Sequence, residues 1–438
     1  MIEQKSTTST NADLLNKHVP FTKRYSNYIL FLLTVVYVFN FIDRQILVIL
    51  QESIKKELGL SDTQLGLMSG FTFAIFYVSF GIPIARLADK GSRKNIITFS
   101  LILWSGMTAL SGRAQNFVQL LLARIGVGIG EAGGSPPAHS IISDLYPPEK
   151  RATAMAIYST GISIGVLFGF LVGGWMDRHF GWRAAFYMVG IPGIVVGLIL
   201  YFTVKEPLRG ISENKTGLDV SHSLKEVLLT LWKSKSFRYL ALGSGMTAYT
   251  LYTMSSWMPS FLARLHFLKS DEIGYWLSLG FGVGGGLGFF LGGYLTDKWS
   301  KKDKRWYLWL PAATLLLAIP FFLTTIFVSD TKVIVLLIGI PSFLGSFYLA
   351  PCIALTHGLS GLRMRSIASA ILFFVLNIIG LGCGPLFTGM VSDYLKPSMG
   401  AESLRWALST TVISNVLAAA LFFLAAKTIR EDLKKAWI

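Results

Sequence analysis

Two stretches, SDTQLGLMSG (residues 61–70) and ARLADKGSRK (residues 85–94), decide the fold, because both return later in the chain. Their later copies read SDEIGYWLSLG (residues 270–280) and GYLTDKWSKK (residues 293–302). Gly66 precedes Asp89 by the same number of residues as Gly274 precedes Asp297. Matching pieces in matching order predict that the second half of the chain duplicates the first.

The composition is that of an integral membrane protein. Of the 438 residues, 52% are hydrophobic and only 15% are charged, and the mean hydropathy is +0.55. A soluble domain carries about 25% charged residues, and a helix needs about 20 mostly apolar residues to cross a bilayer. The net charge of +16 does not indicate a nucleic-acid partner, because the basic residues lie between the hydrophobic segments rather than in one patch.

The hydrophobic pattern predicts twelve membrane-spanning helices in two bundles of six, an all-α architecture with pseudo-two-fold symmetry. The predicted spans are 28–50, 63–86, 95–112, 116–141, 152–175, 183–204, 238–263, 272–296, 306–328, 333–357, 366–391 and 404–426. The chain then divides into a terminal segment, a first bundle, a linker, a second bundle and a tail: 1–27, 28–204, 205–237, 238–426 and 427–438.

An even number of spans puts both termini on one side of the membrane. Most of the 40 Lys and Arg residues fall on that same side. Because cytoplasmic loops carry an excess of Lys and Arg, we expect both termini to be cytoplasmic. The expected location is a bacterial inner (plasma) membrane.

Four charged residues lie deep in predicted spans of the first half: Asp43, Arg44, Arg124 and Glu131. A charge at the bilayer centre costs about 2.5–3.5 kcal/mol on insertion scales, and such residues usually face an interior cavity. The helical rise puts Asp43 and Arg124 at similar depth, with Glu131 two turns further along the same face. This spacing predicts an Asp–Arg pair and a separate glutamate. The glycine-rich run before Pro136 predicts a kink beside Glu131.

Buried acids of this kind can carry protons. A low dielectric favours the neutral form of a carboxyl, and a nearby Arg favours the charged form. We therefore interpret Asp43 and Glu131 as carriers of a coupling proton, and Arg44 and Arg124 as counter-charges or as anchors for an anionic headgroup. The alternative is a fixed salt-bridge network that only orients the helices.

The twelve-span layout and the loop at residues 85–94 resemble the major facilitator superfamily, whose signature lies between spans two and three. Asp89, Arg93 and Lys94 match its charges, whereas Ala85 and Ser92 stand where the superfamily usually has glycine. The resemblance implies a monomer that works by alternating access. It also implies a cytoplasmic gate formed by a set of residues from both copies of the loop: Asp89, Arg93, Lys94 and Asp297.

A narrower resemblance begins with the stretch RIGVGIGEAGGSPPAHS (residues 124–140) and continues through GWRAAF (181–186) and KEPLRG (205–210). These stretches are similar to the Spinster family, whose members move sphingolipids or lysophospholipids. The resemblance implies an amphiphilic lipid substrate, and it extends to Asp43 and Glu131 the proton-coupling role of an aspartate and a glutamate in the family.

The predicted substrate cavity is mainly apolar, with its charge confined to the first half, which suits an amphiphile. Its candidate lining residues come from the first, seventh and eleventh spans: Tyr37, Asn40, Tyr249, Tyr252, Thr253, Ser256, Trp257 and Asn377. The alternatives are a proton symporter of small organic anions, a drug exporter, or a membrane receptor without transport. The sequence contains no metal-ligand spacing, nucleophile elbow or phosphate-cradling loop, so we expect neither an enzyme nor a metal or other cofactor.

Overall fold

The computed structural model describes residues 21–209, 224–360 and 364–436, and within these ranges all regular secondary structure is helical. The first half contains seven α-helices: α1 (Lys23–Leu58), α2 (Asp62–Gly66), α3 (Thr72–Lys90), α4 (Arg93–Ser111), α5 (Phe117–Glu131), α6 (Ser135–Leu145) and α7 (Pro148–Thr203). A π-helical turn, Leu67–Phe71, joins α2 to α3, so that the two form one span.

The second half begins with α8 (Leu224–Lys233), α9 (Lys235–Leu265), α10 (Ser270–Leu277), α11 (Gly285–Ser300) and α12 (Trp306–Phe327). It continues with α13 (Thr331–Leu337), α14 (Gly339–Gly345), α15 (Leu349–Ser360), α16 (Arg365–Val375), α17 (Gly384–Met399), α18 (Ser403–Ser409) and α19 (Thr411–Ala436). Two further π-helical segments, Ser278–Gly284 and Leu376–Cys383, lie between α10 and α11 and between α16 and α17.

These helices form the twelve predicted spans, which are arranged in two bundles. Within the described residues, 8 helical stretches are long and apolar enough to cross a membrane. Two of them hold two spans each, because the chain turns at Gly181 (φ 81°) and at Gly400 (φ 56°). Positive φ is favourable mainly for glycine. The helices α4 and α9 supply the third and seventh spans.

The predicted kink beside Glu131 is confirmed. The helix α5 ends at Glu131 and α6 begins at Ser135, with proline at the start of α6. The glycines here also allow close packing on α4, since a Cβ at Gly130 would lie 2.9 Å from the Trp104 backbone nitrogen. The break therefore places Glu131 at a helix end in the interior of the first half.

The two ends of the bundle differ in how the halves meet. We call the end that holds the starts of α1 and α9 the linker face, and the other end the opposite face. Toward the opposite face one apolar core runs across both halves and includes Leu50 and Ile54 from α1 with Trp257 and Phe261 from α9. The halves are therefore packed together at the opposite face.

An ionic cluster joins the two halves at the opposite face. Arg264 at the end of α9 binds Glu52 at 2.6 Å and Asp62 at 2.7 Å. Asp62 is fully buried and also binds Lys55 of its own half. In addition, the Asp393 carboxylate accepts hydrogen bonds from the backbone N–H groups at the start of α2. An anionic group is favourable at a helix N-terminus.

The linker predicted at residues 205–237 is described only in part, because residues 210–223 lie outside the described ranges. Its start is tied to the first half, since Arg209 donates a hydrogen bond of 2.9 Å to the Gly91 carbonyl. Its end forms the helix α8.

Candidate functional site

The candidate site is built around the four charged residues that α1 and α5 bring together. Asp43 is 0% exposed, and Arg124 and Glu131 are each 1% exposed. Among the residues that the structure describes, each Asp, Glu, Lys or Arg classed as buried belongs to the first half. The predicted confinement of buried charge to one half is therefore confirmed.

Arg44 and Glu131 form the ion pair of the site. The Nε of Arg44 lies 2.8 Å from Oε2 of Glu131, and the side chains are 14% and 0% exposed. The guanidinium also lies over three aromatic rings, at 5.0 Å from Phe41, 4.9 Å from Phe73 and 5.2 Å from Tyr77. Contacts of this kind stabilise a cation on a ring face. Arg44 is thus held among aromatic rings while part of its side chain stays accessible.

The predicted pairing of the acids is wrong. Asp43, not Glu131, lacks an ion pair within the described residues, because both its carboxylate oxygens are buried without a hydrogen-bond partner. Arg124 reaches only the backbone carbonyl of Asp43, at 3.4 Å. Neighbouring positions on a helix point about 100° apart. Arg44 therefore points toward Glu131, while Asp43 points toward α4.

The surroundings of Asp43 are polar but poorly satisfied. Trp104 and Thr108 of α4 lie beside its carboxylate. The indole nitrogen of Trp104 and the hydroxyl of Thr108 are themselves buried without a partner among the described residues. Buried polar groups are nearly always hydrogen-bonded, and Trp104 and Thr108 are the donors that lie beside the Asp43 carboxylate.

An aromatic wall extends from the charged residues toward the linker face. Tyr37 stacks on Tyr158, with ring centroids 4.4 Å apart and planes at 6°. The His139 ring packs edge-on against Tyr158 at 5.3 Å, and the Tyr158 hydroxyl lies 3.5 Å from the Ser135 hydroxyl. Of these residues only Tyr37 was predicted from the sequence. The others lie on helices whose relative rotation the sequence does not reveal.

Two predicted cavity residues lie close to the charged cluster. Asn40 lies beside Glu131. Tyr252, on α9 of the second half, lies near Arg44 and is partly buried. The charged cluster of the first half therefore faces a tyrosine of the second half.

Three of the other predicted cavity residues are fully packed in this conformation. Trp257 is 0% exposed, and its indole nitrogen donates to the Pro385 carbonyl at 2.9 Å. The Ser256 carbonyl accepts from Gln51 of the first half at 2.6 Å, and Thr253 is also 0% exposed. Ser256 and Trp257 belong to the contact between the halves, and the place of all three residues in a substrate cavity stays a prediction.

Tyr249 and Asn377 are partly buried on α9 and on the π-helical segment of the eleventh span. The side chain of Asn377 donates to the Phe373 carbonyl one turn earlier, at 2.9 Å. Both are compatible with a cavity wall, and their role also stays a prediction.

Arg93, one of the predicted gate residues, joins parts of the first half to the linker in this structure. It binds Glu206 at 2.8 Å and Ser140 at 2.8 Å, and it also pairs with Asp144. Burial raises the pKa of Glu206, but the hydrogen bonds from Arg93, from the Lys94 backbone and from Ser92 outweigh it and lower that pKa overall. Arg93 is thus an anchor for the start of the linker.

The remaining gate residues are placed as follows. The ammonium of Lys94 lies 4.8 Å from the centroid of the Tyr201 ring, and Asp297 is exposed. The side chain of Asp89 lies outside the described part of the structure. Within the described ranges there is no group of three or more His, Cys, Asp or Glu residues that could hold a metal ion.

Comparison with known proteins identifies the family. A family model described as Major Facilitator Superfamily matches residues 33–340. A bacterial homolog to human lysosomal transporter, Spinster, solved in an inward-facing and unoccupied conformation, has a TM-score of 0.87 with this chain. Its sequence is 33% identical, and the match covers 94% of this chain and 99% of that one.

Two relatives match along nearly the same length. An MFS-type efflux pump from Mycolicibacterium smegmatis is 32% identical over 406 residues, which is 92% of each chain. The sphingosine-1-phosphate transporter SPNS2 of Danio rerio is 28% identical over 426 residues, 91% of this chain and 84% of the relative. The protein is thus an integral membrane transporter and not an enzyme. It belongs to the Major Facilitator Superfamily and, within it, resembles the Spinster proteins.

Proposed function

We propose that the protein is a proton-coupled secondary active transporter of amphiphilic lipids with an anionic headgroup, of the lysophospholipid or sphingoid-phosphate type. The observation that carries this proposal is the buried cluster of Asp43, Arg44, Arg124 and Glu131 in the first half, facing Tyr252 of the second half. Intramembrane ionisable residues commonly mark substrate pathways and proton relays.

The ion pair suggests how substrate and proton are linked. Arg44 is 14% exposed, whereas the side chain of its partner Glu131 is fully buried. An anionic headgroup therefore competes with Glu131 for the guanidinium of Arg44. Because a carboxylate loses its attraction for arginine when it binds a proton, protonation of Glu131 releases Arg44 for the headgroup.

Asp43 has the second role in this proposal. Its carboxylate is buried without a hydrogen-bond partner in the described residues, and ionised groups are costly in such a setting unless they are paired. A change of environment as the halves rock would let Asp43 gain a proton on one side of the membrane and lose it on the other. Arg124, at the Asp43 backbone, is the counter-charge.

The headgroup and the tail of an amphiphile find different surroundings here. The Arg44 guanidinium among its aromatic rings offers charge to an anionic headgroup, and the aromatic wall of Tyr37 and Tyr158 offers an apolar surface for the chain. The relative named as a sphingosine-1-phosphate transporter supports this substrate class.

The orientation and the gate belong to the same proposal. We place both termini on the cytoplasmic side of a bacterial plasma membrane, on the strength of the basic residues there. In the conformation that is open at the opposite face, the gate set defined above would meet across the linker face. A cysteine at Lys434, exposed near the end of α19, should react with an impermeant maleimide only after the cells are opened.

The decisive experiment is a flux assay in liposomes with an imposed pH gradient. The panel consists of a lysophospholipid, sphingosine-1-phosphate, a sugar acid and a cationic dye. We expect gradient-driven movement of the first two only. Asp43→Asn and Glu131→Gln should reduce it to the level of empty vesicles, whereas Glu149→Gln, an exposed acid on the linker face, should leave it unchanged. Full gradient-driven flux in both variants contradicts the proposal.

A second candidate function is export of drugs or symport of small organic anions, and the efflux-pump relative favours the first of these. The same panel separates the candidates, because movement of the dye or of the sugar acid alone identifies them. Binding of a lysolipid without flux of any compound would instead indicate a receptor.

A further inference from the structure

The helix α8, which follows the first bundle and precedes the second in the sequence, has two apolar faces. The second of these faces has no part in the proposed transport. Val227 and Leu231 are 0% and 1% exposed and belong to the core of the second half. The other apolar side chains point outward, with exposed fractions of 43% for Leu228, 53% for Leu229 and 68% for Trp232. The helix is therefore anchored on one side and presents apolar surface on another.

The position of α8 is fixed by the corner at Ser234, which separates it from α9. The Asp432 carboxylate accepts hydrogen bonds from the Ser234 hydroxyl at 2.9 Å and from the Ser236 backbone at 2.8 Å. Because of this corner, α8 does not extend α9 away from the bundle but packs against α9, α15 and α16. Its outward face is thus held at the level where the seventh span begins.

The exposed patch is continuous with the apolar surface of that span. Arg238 lies with its guanidinium 5.9 Å from the Trp232 ring centroid. Leu242, one turn beyond Arg238 and roughly 10 Å along the helix from Lys235, is 45% exposed. Large apolar patches on a protein surface generally mark a contact with a partner or a membrane.

Basic residues lie beside the patch, together with one exposed acid of α8, Glu226. Lys233 and Lys235 are exposed at the junction of α8 and α9, and Lys434 and Lys435 are exposed at the end of α19. Lys435 lies close to Asp432, which holds the corner. Tryptophan is enriched at the boundary between membrane and water, and basic clusters beside membrane spans attract anionic lipids.

We propose that α8 is an interfacial helix that binds the anionic phospholipid headgroups of the leaflet at the linker face. Leu228, Leu229 and Trp232 lie at the boundary between headgroups and acyl chains, and Lys233 and Lys235 contact the phosphates. An amphipathic helix with Trp and Leu on one face and Lys at its edge has the composition of such helices.

The test measures the depth of a nitroxide on each face of α8 in the full-length protein. In a background where Cys352 and Cys383 are replaced by alanine, Leu229→Cys labels the exposed apolar face, and Thr230→Cys, also exposed, labels the neighbouring polar face as the control. A label at Trp232→Cys, where the native side chain packs little, repeats the measurement. Vesicles contain phosphatidylglycerol and phosphatidylcholine, or phosphatidylcholine alone.

We expect the labels at 229 and 232 to collide with oxygen more often than with a water-soluble nickel complex, and the label at 230 to show the reverse. The label at 229 should lie deeper in vesicles that contain phosphatidylglycerol. Three results overturn the proposal. The first is that the nickel complex reaches the label at 229 as often as the label at 230. The second is that the label at 229 is shielded from both reagents, which would mean contact with the first half instead of lipid. The third is that the label at 229 lies at the same depth in both vesicle types.

Discussion

The two halves of the molecule share an architecture and differ in chemistry. In the first half Asp43, Asp62, Arg93, Arg124 and Glu131 are buried. Among the described residues of the second half, the buried polar side chains are Ser, Thr and Asn. The duplicated scaffold has thus kept its helices in both copies, while buried Asp, Glu and Arg side chains occur, among the described residues, in only one.

The two halves are alike in the helices through which they contact each other. The second span of each half contains a π-helical turn, Leu67–Phe71 in the first and Ser278–Gly284 in the second. Each such span also approaches the other half through a glycine. A Cβ at Gly66 would lie 2.4 Å from the Pro385 carbonyl oxygen, and one at Gly274 would lie 2.4 Å from the Phe170 carbonyl oxygen. The difference between the halves therefore lies in the buried acidic and basic side chains and not in the helices that pack across the interface.

The largest effect is expected from breaking the ion pair of the first half. Arg44→Gln leaves Glu131 buried without its partner, which should cost about 3–5 kcal/mol of stability. The double variant Arg44→Gln/Glu131→Gln should regain much of this loss, because no unpaired charge remains. Unfolding of both proteins in detergent measures the free energies. Equal losses of unfolding free energy in the single and the double variant would show that the unpaired charge of Glu131 is not the cause of the loss.

A smaller effect is expected at the opposite face, where the halves are joined. Arg264→Gln removes the contacts to Glu52 and Asp62, and hydrogen bonds to charged groups contribute about 1.5–3 kcal/mol each. The opposite face should open more often. A cysteine at Ser260, which is 0% exposed, should then react with an impermeant maleimide at least about tenfold faster, since about 1.4 kcal/mol corresponds to a factor of ten.

The control for this prediction is Arg183→Gln. Arg183 also forms an ion pair at the opposite face, with Glu57 at 2.7 Å, but both residues belong to the first half. This variant should leave the labelling rate unchanged. Equal rates in the two arginine variants would mean that the Arg264 cluster does not hold the halves together.

The smallest effect is expected from two matched threonines, one in each half. Thr108 beside Asp43 and Thr253 on α9 are both 0% exposed, and both have a hydroxyl without a partner in the described residues. Replacement by the similarly shaped valine should shift the pH dependence of flux for Thr108→Val only. The half-maximal pH measured in liposomes checks this, and a shift of the same size in Thr253→Val would remove the distinction between the halves.

The sequence was sufficient for the spans, the duplication and the depth of the buried charges. Hydrophobic length predicts spans directly, and the helical rise converts position into depth. The break after Glu131 was also predictable, because the glycine and proline residues that cause it are local in the sequence. Predicting it did not require the positions of neighbouring helices.

The rotation of each helix about its axis was not readable, and this is why the pairing was mispredicted. Asp43 and Arg124 were predicted to pair because they lie at similar depth, whereas in the structure Arg44 pairs with Glu131. The contacts of Arg93 with Glu206 were also missed, because 113 positions separate the two residues in the chain. The apolar character of α8 was hidden in a linker whose overall composition is polar.

The most direct test of the central claim measures protons and substrate together. Liposomes containing the protein and an internal pH dye, without an imposed gradient, receive external sphingosine-1-phosphate. We predict a change of internal pH that accompanies uptake in the unmodified protein and in Glu149→Gln, and that is absent in Asp43→Asn. A proton movement in Asp43→Asn equal to that of the unmodified protein would contradict the proposal that the buried acids of the first half carry the proton.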